Sequence, residues 1–363
     1  MKRVLTVPVT TFATLFFVAI MMFSCQKDTS LPPLSSDIGG TGDKYLEFKD
    51  RTEFDNKLLD LSKKSRKELD DWDKSNNFTS LRSLYEKIVE EEEANILKEE
   101  EVIKQNPELK STMKHKYSSL LKQTTETISY STNGVELNLF DPRLANLVNK
   151  DGIVKIGNVL HKFSRDHFKM IMDGDYNKVK DLSNITQDNQ TANLQYIKVF
   201  LSFGPVKNGK TSNDVGCSNE SNGYRLDGSA VGYSYYEWAP QYGQWVLRYS
   251  AYVKSTHRRY SSWWGWVSRS TSIYRSFGNW GIRYVSQPNI FGLPAADVLT
   301  AYDQTAFSGE TSNAYLFFTI GTKLVGGSAV FGNVGSIGGI TDLRIYGDFN
   351  FEFYDCKCSV NIQ

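Results

Sequence analysis

Hydrophobic positions along this chain change their spacing twice. Phe12 to Phe23 is a continuous apolar run broken only by Thr14. From Lys44 onward the apolar residues return at helical spacing. Phe54, Leu58 and Leu61 follow Thr52 as an N-cap, and Leu69 and Trp72 follow a Ser65/Glu68 capping box. A longer helix begins near Thr79 or Ser80 and carries Leu81, Leu84, Tyr85, Ile88, Ile96, Leu97, Val102 and Ile103. Asn106-Pro107 closes it and predicts another helix bearing Met113, Tyr117, Leu120 and Leu121. Asp141-Pro142 opens a short helix. Val154 and Ile156, then Val159 to Phe163, read as a β-hairpin turned at Gly157-Asn158, with a third strand near Phe168 to Met172.

From Tyr196 to the end the period falls to two. Trp245, Leu247, Tyr249, Ala251 and Val253 alternate with Val246, Arg248, Ser250, Tyr252 and Lys254, as in a strand with one buried face. Similar runs lie near Tyr196–Phe203, Leu226–Glu237, Ser262–Arg275, Tyr315–Ile320 and Asp342–Tyr354. The expectation is an α+β chain: a helical and small mixed α/β-hairpin module over 44–182, a polar linker over 183–195, and an all-β antiparallel sandwich or barrel over 196–363. Glu90 to Glu93 point all round their helix, so they read as a solvated face rather than a converging cation site.

The first apolar run is shorter than the roughly 20 residues that span a bilayer. With Lys2 and Arg3 before it, it reads as a signal peptide over 1–24. Met22-Phe23-Ser24-Cys25 resembles the bacterial lipobox, which implies lipidation at Cys25, and Gln26-Lys27-Asp28 resembles the export signal of Bacteroidetes-type surface lipoproteins. The implied location is the outer membrane, anchored by lipid and facing outward. Residues 25–43, rich in Pro and Gly, then form a flexible tether. Removing Lys2 and Arg3 takes the formal charge from +1 to −1, so no net charge steers the chain to nucleic acid.

Trp72, Asn77-Phe78-Thr79-Ser80-Leu81-Arg82, Leu147-Val148-Asn149-Lys150-Asp151-Gly152, Ile156-Gly157 and Leu160-His161-Lys162-Phe163 resemble an N-terminal module of uncharacterised Bacteroidetes-type lipoproteins. The resemblance spans Tyr45 to Leu182 and implies a location, with no activity attached.

Candidate chemistry concentrates between Trp238 and Trp280, which hold six of the seven tryptophans. Arg258, Arg259 and Arg269 lie in a stretch from Arg248 to Arg283 that contains no acid. Aromatic faces stack on sugar rings and guanidinium forks hold carboxylates or sulfates, so Trp263, Trp264 and Trp266 with those arginines form a candidate face for a polysaccharide. Adjacent Trp263 and Trp264 would face opposite sides of a strand, which puts at least one outside a one-sided core. Aromatics favoured in strands and arginines on a solvent face would account for the same stretch without a ligand.

Cys217, Cys356 and Cys358 fall in the β region, where a Cys217 disulfide to one of the other two is the favoured reading for an exported chain. No metal or cofactor is expected. Asp173, Asp175 and Asn177 begin like a calcium loop, but Lys178 stands where Gly is required. The histidines lack catalytic spacing. Glu237, Asp297, Asp303 and Glu310 are acids without a motif, and a glycan hydrolase would need two of them to converge. The leading expectation is therefore a non-catalytic surface recognition protein. A structural or assembly subunit of a surface complex and a glycan-acting hydrolase are the alternatives.

Overall fold

The computed structural model describes residues 45–363 apart from 113–115, 125, 132–133, 203–214, 240–243, 270–271, 287–295, 303–306, 311–312, 327–339, 352–355 and 363. The signal, Cys25 and the tether lie outside the described residues. A two-residue strand β1 (Glu47–Phe48) leads into helices α1 (Arg51–Leu61), α2 (Arg66–Ser75) and α3 (Leu81–Gln105). Asp50, not Thr52, caps α1: its backbone is extended and its carboxylate accepts from the Glu53 amide at 2.9 Å. The capping box at Ser65 and Glu68 is present, with both reciprocal bonds formed.

Several residues of the Bacteroidetes-like module turn out to be turn and packing devices. Asn77 takes a left-handed φ of 46° between α2 and α3. Ser80 Oγ donates to Asp73 at 2.6 Å and Arg82 Nη2 donates to the same carboxylate at 3.0 Å, which ties the two helices together below the surface. Asn149 Oδ1 accepts from the amides of Asp151 and Ile153, and Gly152 follows at φ 77°.

After α3 the expected helix is replaced by short 3-10 turns at Pro107–Ser111 and Leu121–Gln123. A small hairpin, β2 (Ile128–Ser131) and β3 (Gly134–Leu137), then appears where no strand was expected. A 3-10 turn at Pro142–Asn146 precedes β4 (Ile153–Ile156), β5 (Val159–Phe163) and β6 (His167–Ile171). Asp173 and Asp175 accept from backbone amides two residues on, and Asp175 caps a 3-10 helix at Tyr176–Asn184. The calcium-like stretch is thus a capped polar turn.

The remaining strands are β7 (Leu194–Ser202), β8 (Val215–Ser221), β9 (Tyr224–Ala239), β10 (Gln244–Ser261), β11 (Gly265–Ser268), β12 (Ser272–Ser286), β13 (Ala296–Tyr302), β14 (Phe307–Glu310), β15 (Asn313–Gly326), β16 (Ile340–Phe351) and β17 (Cys356–Ile362). The main sheet runs β1-β4-β5-β6-β7-β9-β10-β11, with β8 also on β9 and β15 also on β10. Only β1–β4 is parallel among its described pairs. A second sheet runs β13-β12-β16-β17 with β14 on β12. The architecture is mixed α+β with open, mostly antiparallel sheets.

One strand joins the two halves. Leu194 to Lys198 of β7 pair with β6, and Val199 to Ser202 pair with β9. Most of 185–193 is irregular, yet the sheet continues across it. The core beneath is aromatic: Phe54, Phe140, Phe163 and Phe168 cluster with Tyr233 and Tyr235 at ring separations of 5.2 to 6.5 Å. Among the described residues, no helix is long and apolar enough to cross a membrane.

Candidate functional site, a cleft beside Trp238

The alternation along β9 places Tyr233, Tyr235 and Glu237 on the face that meets α1. Tyr233 and Tyr235 pack on Phe140, while Glu237 enters an ion network. Arg51, in the first turn of α1, donates from Nε to Asp55 at 2.7 Å, from Nη1 to Glu237 at 2.8 Å and from Nη2 to the Tyr235 hydroxyl at 3.0 Å. Arg248, opposite Tyr235 in β10, donates from Nε to the other Glu237 oxygen and from Nη1 to Asp55 at 3.2 Å. Two arginines and two carboxylates thus close a neutral ring between helix and sheet.

Burial alone would raise the Glu237 pKa, but Arg51 and Arg248 outweigh it and hold the carboxyl below its usual range. Burial works against the Arg51 charge as well, and Glu237, Tyr235 and Asp55 reverse that, lifting its pKa well above the ordinary value. Beside the ring, Tyr233 donates to Asp141 Oδ2 at 2.6 Å and Arg143 clamps the same carboxylate at 2.7 Å. His161, 5% exposed, stacks on Phe163 and Phe168. Burial lowers its pKa to about 4, with Glu237 partly opposing, so the ring is neutral near pH 7.

Two cavities flank the network. One, of about 270 Å³, is lined by Asp55, Asn56, Phe140, Asp141, Arg143 and Tyr233 among others. The larger, about 390 Å³, is lined by Asn158, His161, Met170, Met172, Gln195 and Trp238, with Lys49, Asp50, Arg51, Glu237 and Arg248. Trp238 sits near the end of β9 and is 40% exposed. The side-chain amides of Asn158 and Gln195 bond to no other described group. A glutamate held ionised between two arginines is poorly placed to donate a proton.

The residues singled out in the sequence do come together, at the turn of β10 and β11. Trp263 and Trp264 lie in that turn, their amides donating to Ser261 Oγ at 3.3 and 3.1 Å. Trp266 meets Tyr260 edge-on at 5.3 Å, and Arg225 lies 5.7 Å above its ring. Lys110 lies 4.3 Å over Trp263. The arginines face acids: Arg258 Nε is 2.8 Å from Asp227, Arg259 Nη1 donates to both Glu100 oxygens at 3.2 and 3.1 Å, and Arg269 Nε lies 3.7 Å from Glu93. The solvated reading of Glu90–Glu93 is corrected here. Glu92 is buried with its carboxylate on the Ser118 amide, and Glu93 faces the arginines. Asp227 comes from the neighbouring strand β9, but Glu93 and Glu100 come from α3, far away in sequence, which local pattern does not reveal.

Strand β8, which carries Cys217, lies against β17, which carries Cys356 and Cys358; the three side chains are outside the described set. So are those of Asp297, Asp303 and Glu310. Among the described residues, no group of three or more His, Cys, Asp or Glu is arranged to hold a metal.

No family model matches the chain, and no curated protein matches it. A solved crystal structure of a DUF4848 family protein from Bacteroides thetaiotaomicron is similar at 14% identity, covering 87% of this chain and 96% of that one. Its TM-score is 0.25, too low to carry an argument about fold or function.

Proposed function

We propose that this chain is a lipid-anchored outer-membrane protein that recognises glycans without cleaving them, with the Trp238 cleft as its binding site. The observation that carries this reading is the cleft itself: a cavity of about 390 Å³ with a part-exposed tryptophan, two unengaged amides and two methionines in its lining. Indole and thioether surfaces suit the C–H faces of sugar rings, and amides suit their hydroxyls. The anchor rests on the lipobox resemblance at Cys25 and the outward orientation on Gln26-Lys27-Asp28. The contact of β17 with β8 and β9 supports a sandwich of the two sheets and a Cys217 disulfide to Cys356 or Cys358.

The test is a glycan array probed with the full chain. Binding that falls in Trp238→Ala supports the cleft. Retention on no glycan sinks the reading. Binding that survives Trp238→Ala but is lost when Trp263→Ala and Trp264→Ala are combined moves the site to the β10–β11 turn. Palmitate labelling abolished by Cys25→Ser is the expected result for the anchor.

A further inference from the structure

The charges around the Trp238 cleft narrow what can enter it. Arg51 and Arg248 line the cleft, but their hydrogen bonds run to Asp55, Glu237 and Tyr235. Both Glu237 oxygens are taken, one by each arginine. At the exposed corner, Lys49 adjoins Asp50, which caps α1, and its backbone amide donates to the Glu53 carboxylate at 2.6 Å. That corner therefore carries no excess positive charge, and the ring behind it is neutral. An arginine reaching for a ligand carboxylate would first have to leave a desolvated pair, which costs more than one exposed ligand contact returns. The polar groups left without protein partners are the amides of Asn158 and Gln195 and, at the exposed rim, the Lys49 ammonium, whose charge is offset by the neighbouring Asp50 and Glu53.

Resting on the glycan reading above, we infer that the ligand is a neutral sugar chain, not a uronate-bearing or sulfated one. The indole takes a ring face and the two amides take hydroxyls, while no buried cation is left to select an acid. The test is affinity electrophoresis of the full chain in gels holding laminarin, mannan or xylan against polygalacturonate, alginate or chondroitin sulfate. Expected is retardation by a neutral polymer alone, unchanged between about 0.05 and 0.5 M salt because no ion pair is screened. Trp238→Ala should weaken it about tenfold, the scale of one lost aromatic contact, with circular dichroism confirming an intact fold. Gln195→Ala should weaken it less. Retardation by acidic polymers only, or binding that falls steeply with salt, overturns this inference and leaves glycan recognition standing. Retardation by neither set overturns glycan recognition and this inference with it.

Discussion

Within the cleft wall, single side chains act through what they hold. Glu237 and Asp55 are both held by Arg51 and Arg248, and Glu237 is the more buried of the two acids, its side chain 12% exposed against 38% for Asp55. Glu237→Gln removes the charge both guanidiniums face and should lower stability by about 2–3 kcal/mol, read from urea unfolding. His161 gives a pH signature. Its folded pKa of about 4 lies below the unfolded value near 6.5, so the unfolded chain takes up the proton first as pH falls. The contribution is complete above about pH 6.5 and is lost on the way down to about pH 4, about 3 kcal/mol in all. His161→Phe should remove that slope, visible as a smaller stability loss between pH 7 and 4.5 than in the parent. Neither role was legible beforehand. Glu237 reads as an acid without a motif because Arg51 lies 186 residues away, and the burial of His161 comes from packing that its local spacing does not show.

At the scale of elements, turn chemistry was the most legible part. The capping box at Ser65, the β4–β5 hairpin and the long strand at Trp245 all follow from local spacing, and all are present. The stretch after Pro107 departs from its helical pattern because the apolar residues there serve separate contacts, Leu121 in the core and Tyr117 on Tyr130. Gly152 shows how tight the legible turns are. A Cβ there would sit 2.7 Å from the Phe163 carbonyl oxygen, at a φ of 77°. Gly152→Ala should therefore cost about 2 kcal/mol or more, measured by thermal unfolding. Pairing of α3 with β10 is the element-level contact that local pattern hid. A double-mutant cycle with Glu100→Gln and Arg259→Gln should return a coupling of about 1 kcal/mol that shrinks in high salt.

For the molecule as a whole, the decisive feature is β7, which bonds to β6 with its first half and to β9 with its second. A fragment of residues 195–363 would lose the β6 partner and the α1 and α3 acids together. It should fail to show a cooperative unfolding transition, while the full chain shows one. The composition change near Tyr196 is real, but it marks a change of strand chemistry within one sheet. The pairing of α3 with β10 also sets a timetable. Glu100 and Arg259 are 159 residues apart, so at roughly 5–20 residues per second the helix waits on the order of ten seconds or more for its counter-charges during synthesis. Through that interval its acids have no arginine from β10 to answer them. Chains halted before residue 259 should be cut by protease within α3, and a few dozen residues more should protect it.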